Sequence, residues 1–302
     1  MNREVYRKIV EKSKEAQAQE RGIAYLAEHL GRFLKVGERV LICFFDHAEG
    51  NLSWLMEQAV LRCNAVPVVW GPDRRWKTLL RLAFSQKVSA IIGLPLVVLG
   101  LTKLAKQSAT PLSIRKVITA GYPCTQWMID GIVKGFDCEM GGCFTLGQTG
   151  VVAGFACGHS WGVHLRTEEY GMDIVGQDGT LLPAGQLGEM ILYPRSAPEL
   201  RYAMGECARI IEETCECGSD TPRLLEMQQG KNADPDILAL SQMLQSWTSI
   251  LDCRVIKGEC GLEIELVTFP GEKLPKLPTA AKLVVRPWEP ETDEPFFYDP
   301  NA

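Results

Sequence analysis

The chain opens with two helical patterns over residues 2 to 35 and then changes texture. The first stretch is charged almost all round, which predicts a surface helix. The second carries Ile23, Leu26, Leu30, Phe33 and Leu34 along one stripe, the spacing of an amphipathic helix, with Gly31 a weak point within it. From Arg39 short apolar runs alternate with helical segments. Val40 to Phe45, Val66 to Trp70, Val88 to Ile92 and Lys116 to Thr119 read as strands buried on both faces. Helices are predicted between them at roughly 51–63, 74–86, 96–107 and 125–134. Such alternation predicts parallel β-α-β units, whose ligands sit on the loops that follow the strands.

Past Gly141 the strands shorten and the turns tighten, notably Met172 to Val175, the turn Gln177-Asp178-Gly179, and Gly188 to Tyr193. This pattern predicts antiparallel pairing. A glycine- and charge-rich stretch, Gln228 to Asp236, then precedes a helix at about Asp236 to Ser249 and strands near 252–257, 261–269 and 281–286. The expected fold class is therefore α/β: parallel β-α-β layers with an antiparallel β subdomain, plus a small α+β C-terminal domain. The expected divisions are N-terminal helices over 1–35, a core over 36–228, the C-terminal unit over 229–287 and a tail over 288–302. The tail, rich in Pro, Glu and Asp, is expected to be partly unfolded.

Composition narrows the classes of partner. A chain of 302 residues, 46% hydrophobic and 23% charged, can bury one substantial core and a smaller satellite. A net charge of −5 without any long basic run lacks the footprint that a phosphate backbone demands, so no nucleic-acid partner is expected. Met1 to Gly22 is the reverse of a secretory apolar segment. The longest apolar run, Ala90 to Leu101, carries Gly93, Pro95 and Gly100 and falls short of the roughly 20 residues a membrane span needs. A cytoplasmic protein with no membrane partner is expected. Eleven cysteines in such a chain read as free thiols and metal ligands.

Two constellations carry candidate chemistry. Cys157-x6-His164 followed by Cys215-x-Cys217-Gly218 supplies ligands of the number and kind that a tetrahedral zinc site uses. The same residues also read as ordinary buried thiols, and His159 competes with His164. Cys124 and Cys207 are each open to a buried or a reactive reading, and Trp54, Trp70, Trp76, Trp127 and Trp161 read as packing. The second constellation is a series of turns: Ala120-Gly121-Tyr122-Pro123, Thr145 to Gly150, Gly185 to Glu189, and Arg201 to Glu206.

In this order and spacing the turns resemble the later core motifs of the acyl-adenylate-forming superfamily, and specifically its phenylacetate–coenzyme A ligase branch. The resemblance covers residues 35 to 230 well and the last 70 loosely, as a shortened relative of the family's mobile C-terminal domain. It implies that Gly121, Tyr122 and Pro123 line an adenine and acyl pocket. The family's Tyr-Gly-x-Thr-Glu motif falls on Leu146-Gly147-Gln148-Thr149-Gly150, and its ribose-gripping Arg-Tyr-x-x-Gly-Asp motif falls on Arg201 to Glu206. The branch also carries a Cys…Gly-x-His pair and a later Cys-x-Cys-Gly. This implies Cys157, His164, Cys215 and Cys217 as ligands of a structural zinc, and ATP or AMP and coenzyme A as ligands of the cleft.

The departures from that pattern fall on groups that handle charge. No Ser/Thr/Gly-rich loop ending in Lys is found, and relatives carry it ahead of the stretch matching residues 1 to 35. Gly150 stands where the family has the Glu that helps hold Mg²⁺, so Mg²⁺ binding is not expected. Leu146 replaces an aromatic residue expected to stack on adenine. Glu206 lengthens the ribose acid by one methylene. Lys273, Lys276 and Lys282 read as solvated surface charge, not as the family's catalytic lysine, and Lys231 to Asp234 matches its hinge poorly.

An acid–coenzyme A ligase proceeding through acyl-AMP therefore requires a second chain to supply the phosphate loop. The alternative is a catalytically silent module that still binds an adenylate or acyl-thioester, or acts as a scaffold. A zinc or thiol redox protein is a third reading, supported by the cysteine count alone.

Overall fold

The computed structural model describes residues 2–108, 112–159, 162–229, 235–258, 261–271, 274 and 282–296. Helix α1 (Arg3–Ser13) is capped by the Asn2 side chain, which accepts from the backbone amides of Glu4 and Val5. Its charged surroundings predict a surface helix, yet Ile9 is 1% exposed and Val5, Tyr6 and Val10 pack with it on an apolar cluster. Four apolar positions on one face suffice to anchor it. Helix α2 (Ala16–Leu30) ends at Gly31, earlier than its apolar stripe implies, and buries Ile23, Leu26 and Leu30.

The first half of the chain alternates as expected. In chain order come β1 (Arg39–Cys43), α3 (Leu52–Arg62), β2 (Val66–Val69), α4 (Trp76–Ser85), β3 (Ala90–Gly93), α5 (Pro95–Gln107), β4 (Lys116–Thr119), α6 (Gln126–Phe136) and β5 (Glu139–Thr145). Their strands lie in the order β2-β1-β3-β4-β5, every pair parallel. The chain moves one way from β1 to β2 and the other way from β3 onward, so a crevice opens at the carboxyl ends of β1 and β3. Trp70 and Trp76 are core residues, and Trp54 and Trp127 pack half-buried against that core. Gly100 of α5 leaves the space that the Trp76 ring fills. Trp161 lies outside the described residues.

The second half extends the same sheet. Strands β6 (Val152–Phe155), β7 (Val163–Leu165), β8 (Tyr170–Val175), β9 (Gly188–Pro194), β10 (Tyr202–Ile211) and β11 (Arg223–Gln229) continue it as β5-β6-β7-β11-β10-β9-β8. All of these pairs are antiparallel. Strand β5 is thus shared, parallel to β4 on one side and antiparallel to β6 on the other. The antiparallel part has its own apolar cluster, formed by Leu146, Val151, Ile174, Leu192, Tyr202, Met204 and Ala208 among others, with Ile9 of α1 inside it.

The C-terminal unit comprises α7 (Pro235–Ser246), β12 (Ile250–Gly258), β13 (Gly261–Thr268) and β14 (Lys282–Pro287). Strand β13 pairs antiparallel with β12 and parallel with β14, and Leu240 and Leu244 of α7 cover Ile250, Cys253, Ile264 and Leu266. The other end of this unit joins the main core through Leu251, Val267 and Phe269. Within the tail expected to be partly unfolded, residues 288–296 are packed on the core. Trp288 packs edge-on to Phe269, the carbonyl of Asp293 accepts from Trp76 N at 2.9 Å, and Asp293 is 5% exposed. Aromatic anchors and a buried acid paired with Arg286 outweigh the polar composition there. Residues 297–302 lie outside the described residues. No described helix is long and apolar enough to cross a membrane.

Candidate functional site

Three of the cysteines and one histidine converge. Cys157 follows β6, His164 sits within β7, and Cys215 and Cys217 occupy the turn between β10 and β11. The pairing of β7 with β11 sets His164 opposite Arg223, and so brings its imidazole to that turn. The turn is closed by Gly218 N donating to Cys215 O at 2.8 Å, with Gly218 in the left-handed region. All four ligand atoms lie within 4.8 Å of one another. Cys157 Sγ is 3.6 Å from Cys215 Sγ, and Cys217 Sγ is 3.5 Å from His164 Nε2. A tetrahedral zinc with ordinary bond lengths separates two sulfurs by about 3.8 Å, and a sulfur and a nitrogen by about 3.5 Å. The donor set fits that ion.

The second layer of contacts also suits a metal. His164 Nδ1 lies 3.2 Å from Thr221 O, a bond in which Nδ1–H must donate, and this leaves the Nε2 lone pair directed at the sulfurs. His159 N–H donates to Cys157 Sγ at 3.5 Å, while its exposed ring lies 3.1 Å from Cys157 O through Nδ1. Its imidazole is not in the cluster, so the structure separates the two histidines that spacing leaves open. Outside the cluster, burial raises the Cys43, Cys143 and Cys253 thiols, and that of Cys124 to about 12, which disfavours the thiolate there.

The turns at the carboxyl edge are tied together by Thr145, the first residue of the Thr145 to Gly150 turn. Its Oγ1 accepts from Gly121 N at 3.1 Å and donates to Gly147 O at 2.7 Å. Gln148 binds the opposite wall, its Oε1 accepting from Phe45 N at 2.9 Å and its carbonyl from Leu52 N at 3.0 Å. Thr149 closes its own turn by donating to Leu146 O at 2.6 Å. Gly121, Gly147, Gln148 and Thr149 therefore assemble at the ends of β1, β4 and β5, with Tyr122 and Pro123 half-buried beside them.

The remaining predicted residues stand apart from that group. Arg201 pairs with Asp173 of β8, and its guanidinium lies 4.8 Å from the Tyr193 ring of β9, so its bonded partners are on the outer antiparallel strands. Glu206 sits on β10 where the register against β9 shifts between Ala203 and Cys207, beside Gly205 in the left-handed region. Burial pushes the Glu206 carboxyl up to about 7.

Two positions expected to face a nucleotide are filled from within. Leu146 is 5% exposed, inside the cluster that contains Ile9. A Cβ on Gly150 would overlap the carbonyl oxygen of Gly50 and come within 3.3 Å of Ser13 Oγ. Gly50 belongs to the loop after β1, which a further polar network steadies. His47 Nδ1 lies 2.8 Å from Ser53 Oγ and His47 Nε2 lies 3.0 Å from Glu57 Oε2. Ser53 is 1% exposed, so the network positions the loop and is closed to solvent at its hydroxyl. The legible signal for it was the polar run Asp46 to Asn51 directly after an apolar strand.

Of the candidate lysines, Lys282 is exposed and pairs with Glu263 at 3.3 Å; Lys273, Lys276 and Lys231 to Asp234 lie outside the described residues. A different lysine joins the parallel half to the C-terminal unit. Lys103 of α5 is buried and donates to Gln245 O at 2.5 Å and Ile250 O at 2.8 Å, and burial lowers it to about 8. Asp252, raised by burial, accepts from Phe296 N at 2.7 Å in the same contact region.

No family model matches the chain, nor does any curated protein. Solved structures do. A 2-hydroxyisobutyryl-CoA ligase in the postadenylation state superposes with a TM-score of 0.68 at 16% identity, covering 92% of this chain and 68% of that one. The same ligase in complex with 2-HIB-AMP and CoA gives 0.62 at 17%, covering 84% and 58%. An anthranilate CoA ligase in complex with anthranoyl-AMP gives 0.55 at 14%, covering 87% and 59%. The fold is that of the acyl-adenylate-forming CoA ligases, and the chain spans between 58% and 68% of their length.

Proposed function

We propose that this chain is a binding module on the ligase fold, taking an adenylate of the acyl-AMP class, with coenzyme A thioesters as related ligands, and that it does not activate acids by itself. Gly150 carries the reading. The position that holds a magnesium-binding acid in the resembling ligases is packed against the Gly50 carbonyl, so no carboxylate steadies a cation there. The turn around it keeps its hydrogen bonds through Thr145 and Gln148, which supports retained recognition without the charge-handling part. Glu206, whose carboxyl burial raises to about 7, would supply the hydroxyl-binding group on the ribose side of the resembling motif.

Cys157, His164, Cys215 and Cys217 would hold a zinc ion in this reading. Four protein ligands leave no coordination position for water, so the metal supplies stability and not chemistry. It ties the turn after β6 to the turn before β11. The test is a thermal-shift titration with AMP, an acyl-AMP analogue and coenzyme A. A saturable rise in melting temperature is expected; a flat profile against all three sinks the reading.

A further inference from the structure

Helix α1 packs on parts of two of the cleft motifs, the Leu146–Gly150 turn and the Arg201–Glu206 segment. Ile9 enters the cluster with Leu146 and Met204, the Tyr6 ring packs 5.4 Å from the Tyr202 ring, and Ser13 Oγ approaches Gly150. The α1–α2 junction continues the cover, since Lys14 and Gln19 press on Gly50, which in turn presses on Gly150. The first half of the Arg201–Glu206 segment and both ends of the Leu146–Gly150 turn are thus contacted by α1 or by the loop it backs.

The same helix lies at the surface, with most of its positions exposed or half-buried. Its outer face is polar, with Glu4–Lys8 at 2.7 Å and Arg7–Glu11 at 3.6 Å, both exposed. A helix of this length is marginal in water without tertiary contacts. Among the described residues, Val5, Tyr6, Ile9 and Val10 join the apolar cluster, and Ser13 Oγ is turned back onto Val10 O. Isolated ion pairs on an exposed face add little to that anchorage.

From this we infer that α1 is an intramolecular plug, competing with an adenylate for the surface formed by Leu146, Gly150, Tyr202 and Met204. The inference rests on the adenylate reading given above. A ligand that binds only the unplugged state has its affinity reduced by the fraction of chains in that state. Displacing α1 also uncovers the Gly150 side, so the ligand and the helix exclude one another.

Ile9→Asp in the full chain, titrated with AMP and followed by amide hydrogen exchange, tests this. The expected result is released α1 amides together with AMP binding at least about tenfold tighter than in the unaltered chain. Unchanged AMP affinity with α1 released overturns the plug and leaves the adenylate reading standing. A released helix with no AMP binding overturns both. Should Ile9→Asp fail to fold, the unaltered chain decides: saturating AMP must accelerate exchange across Val5 to Val10, and unchanged or slowed exchange overturns the plug.

Discussion

The backbone carbonyl of Gly50 sits against Gly150, in the space that any side chain at position 150 would need. The loop after β1 and the turn after β5 therefore meet backbone to backbone. Replacing Gly150 by Glu, which restores the acid of the resembling motif, is expected to destabilise by about 2–3 kcal/mol or more, because the opposing atom is main chain and cannot rotate away. Urea unfolding of the variant checks this. Native stability would show that the two loops part easily.

Cys215→Ser removes a ligand whose sulfur lies 3.6 Å from Cys157 Sγ. Loss of bound zinc and a lower melting temperature are expected, with elemental analysis and calorimetry as the measurements. Chelation of the unaltered chain should reproduce the effect. Unchanged metal content in the variant removes the zinc assignment.

These two sites differ in how far their sequence betrayed them. The parallel strands were legible because strands buried on both faces read as unbroken apolar runs, as at Val40 to Phe45, and the Cys-x-Cys-Gly turn marked two of the four side chains that converge. Spacing could not choose between His159 and His164, since that depends on which residue β11 holds in register. The apolar stripe of α1 was not legible because four anchoring positions are sparse among its charges, and composition does not reveal that Trp288 and Phe296 find the core. The filling of Leu146 and Gly150 by residues 137 and 100 positions away in the chain is tertiary information, absent from any local pattern.

The Glu206 carboxyl gives a pH signature. Its folded value is raised from 4.5 to about 7, so between those limits the folded chain binds a proton that the unfolded chain has released. Stability therefore falls as pH rises through that window, by up to about 3 kcal/mol. Glu206→Gln should lack this slope, and the gain of the variant over the unaltered chain should grow from pH 4.5 and level off above pH 7. Parallel slopes in denaturant titrations across this range would contradict the burial of an unpaired acid.

Lys103→Met leaves the carbonyls of Gln245 and Ile250 without their shared donor. Each unsatisfied buried acceptor costs about 1–3 kcal/mol, so looser docking of the C-terminal unit is expected. Limited proteolysis should then cut near α7 faster than in the unaltered chain. An unchanged cleavage rate would mean that apolar contacts through Leu251, Val267 and Phe269 hold the unit alone.

Pyrophosphate release bears most directly on the claim of binding without acid activation. The purified chain, given ATP, Mg²⁺ and a panel of aliphatic and aromatic carboxylic acids, is expected to release no more pyrophosphate than in the absence of acid, while an acyl-AMP analogue raises its melting temperature. Acid-dependent pyrophosphate release by the chain alone would contradict it.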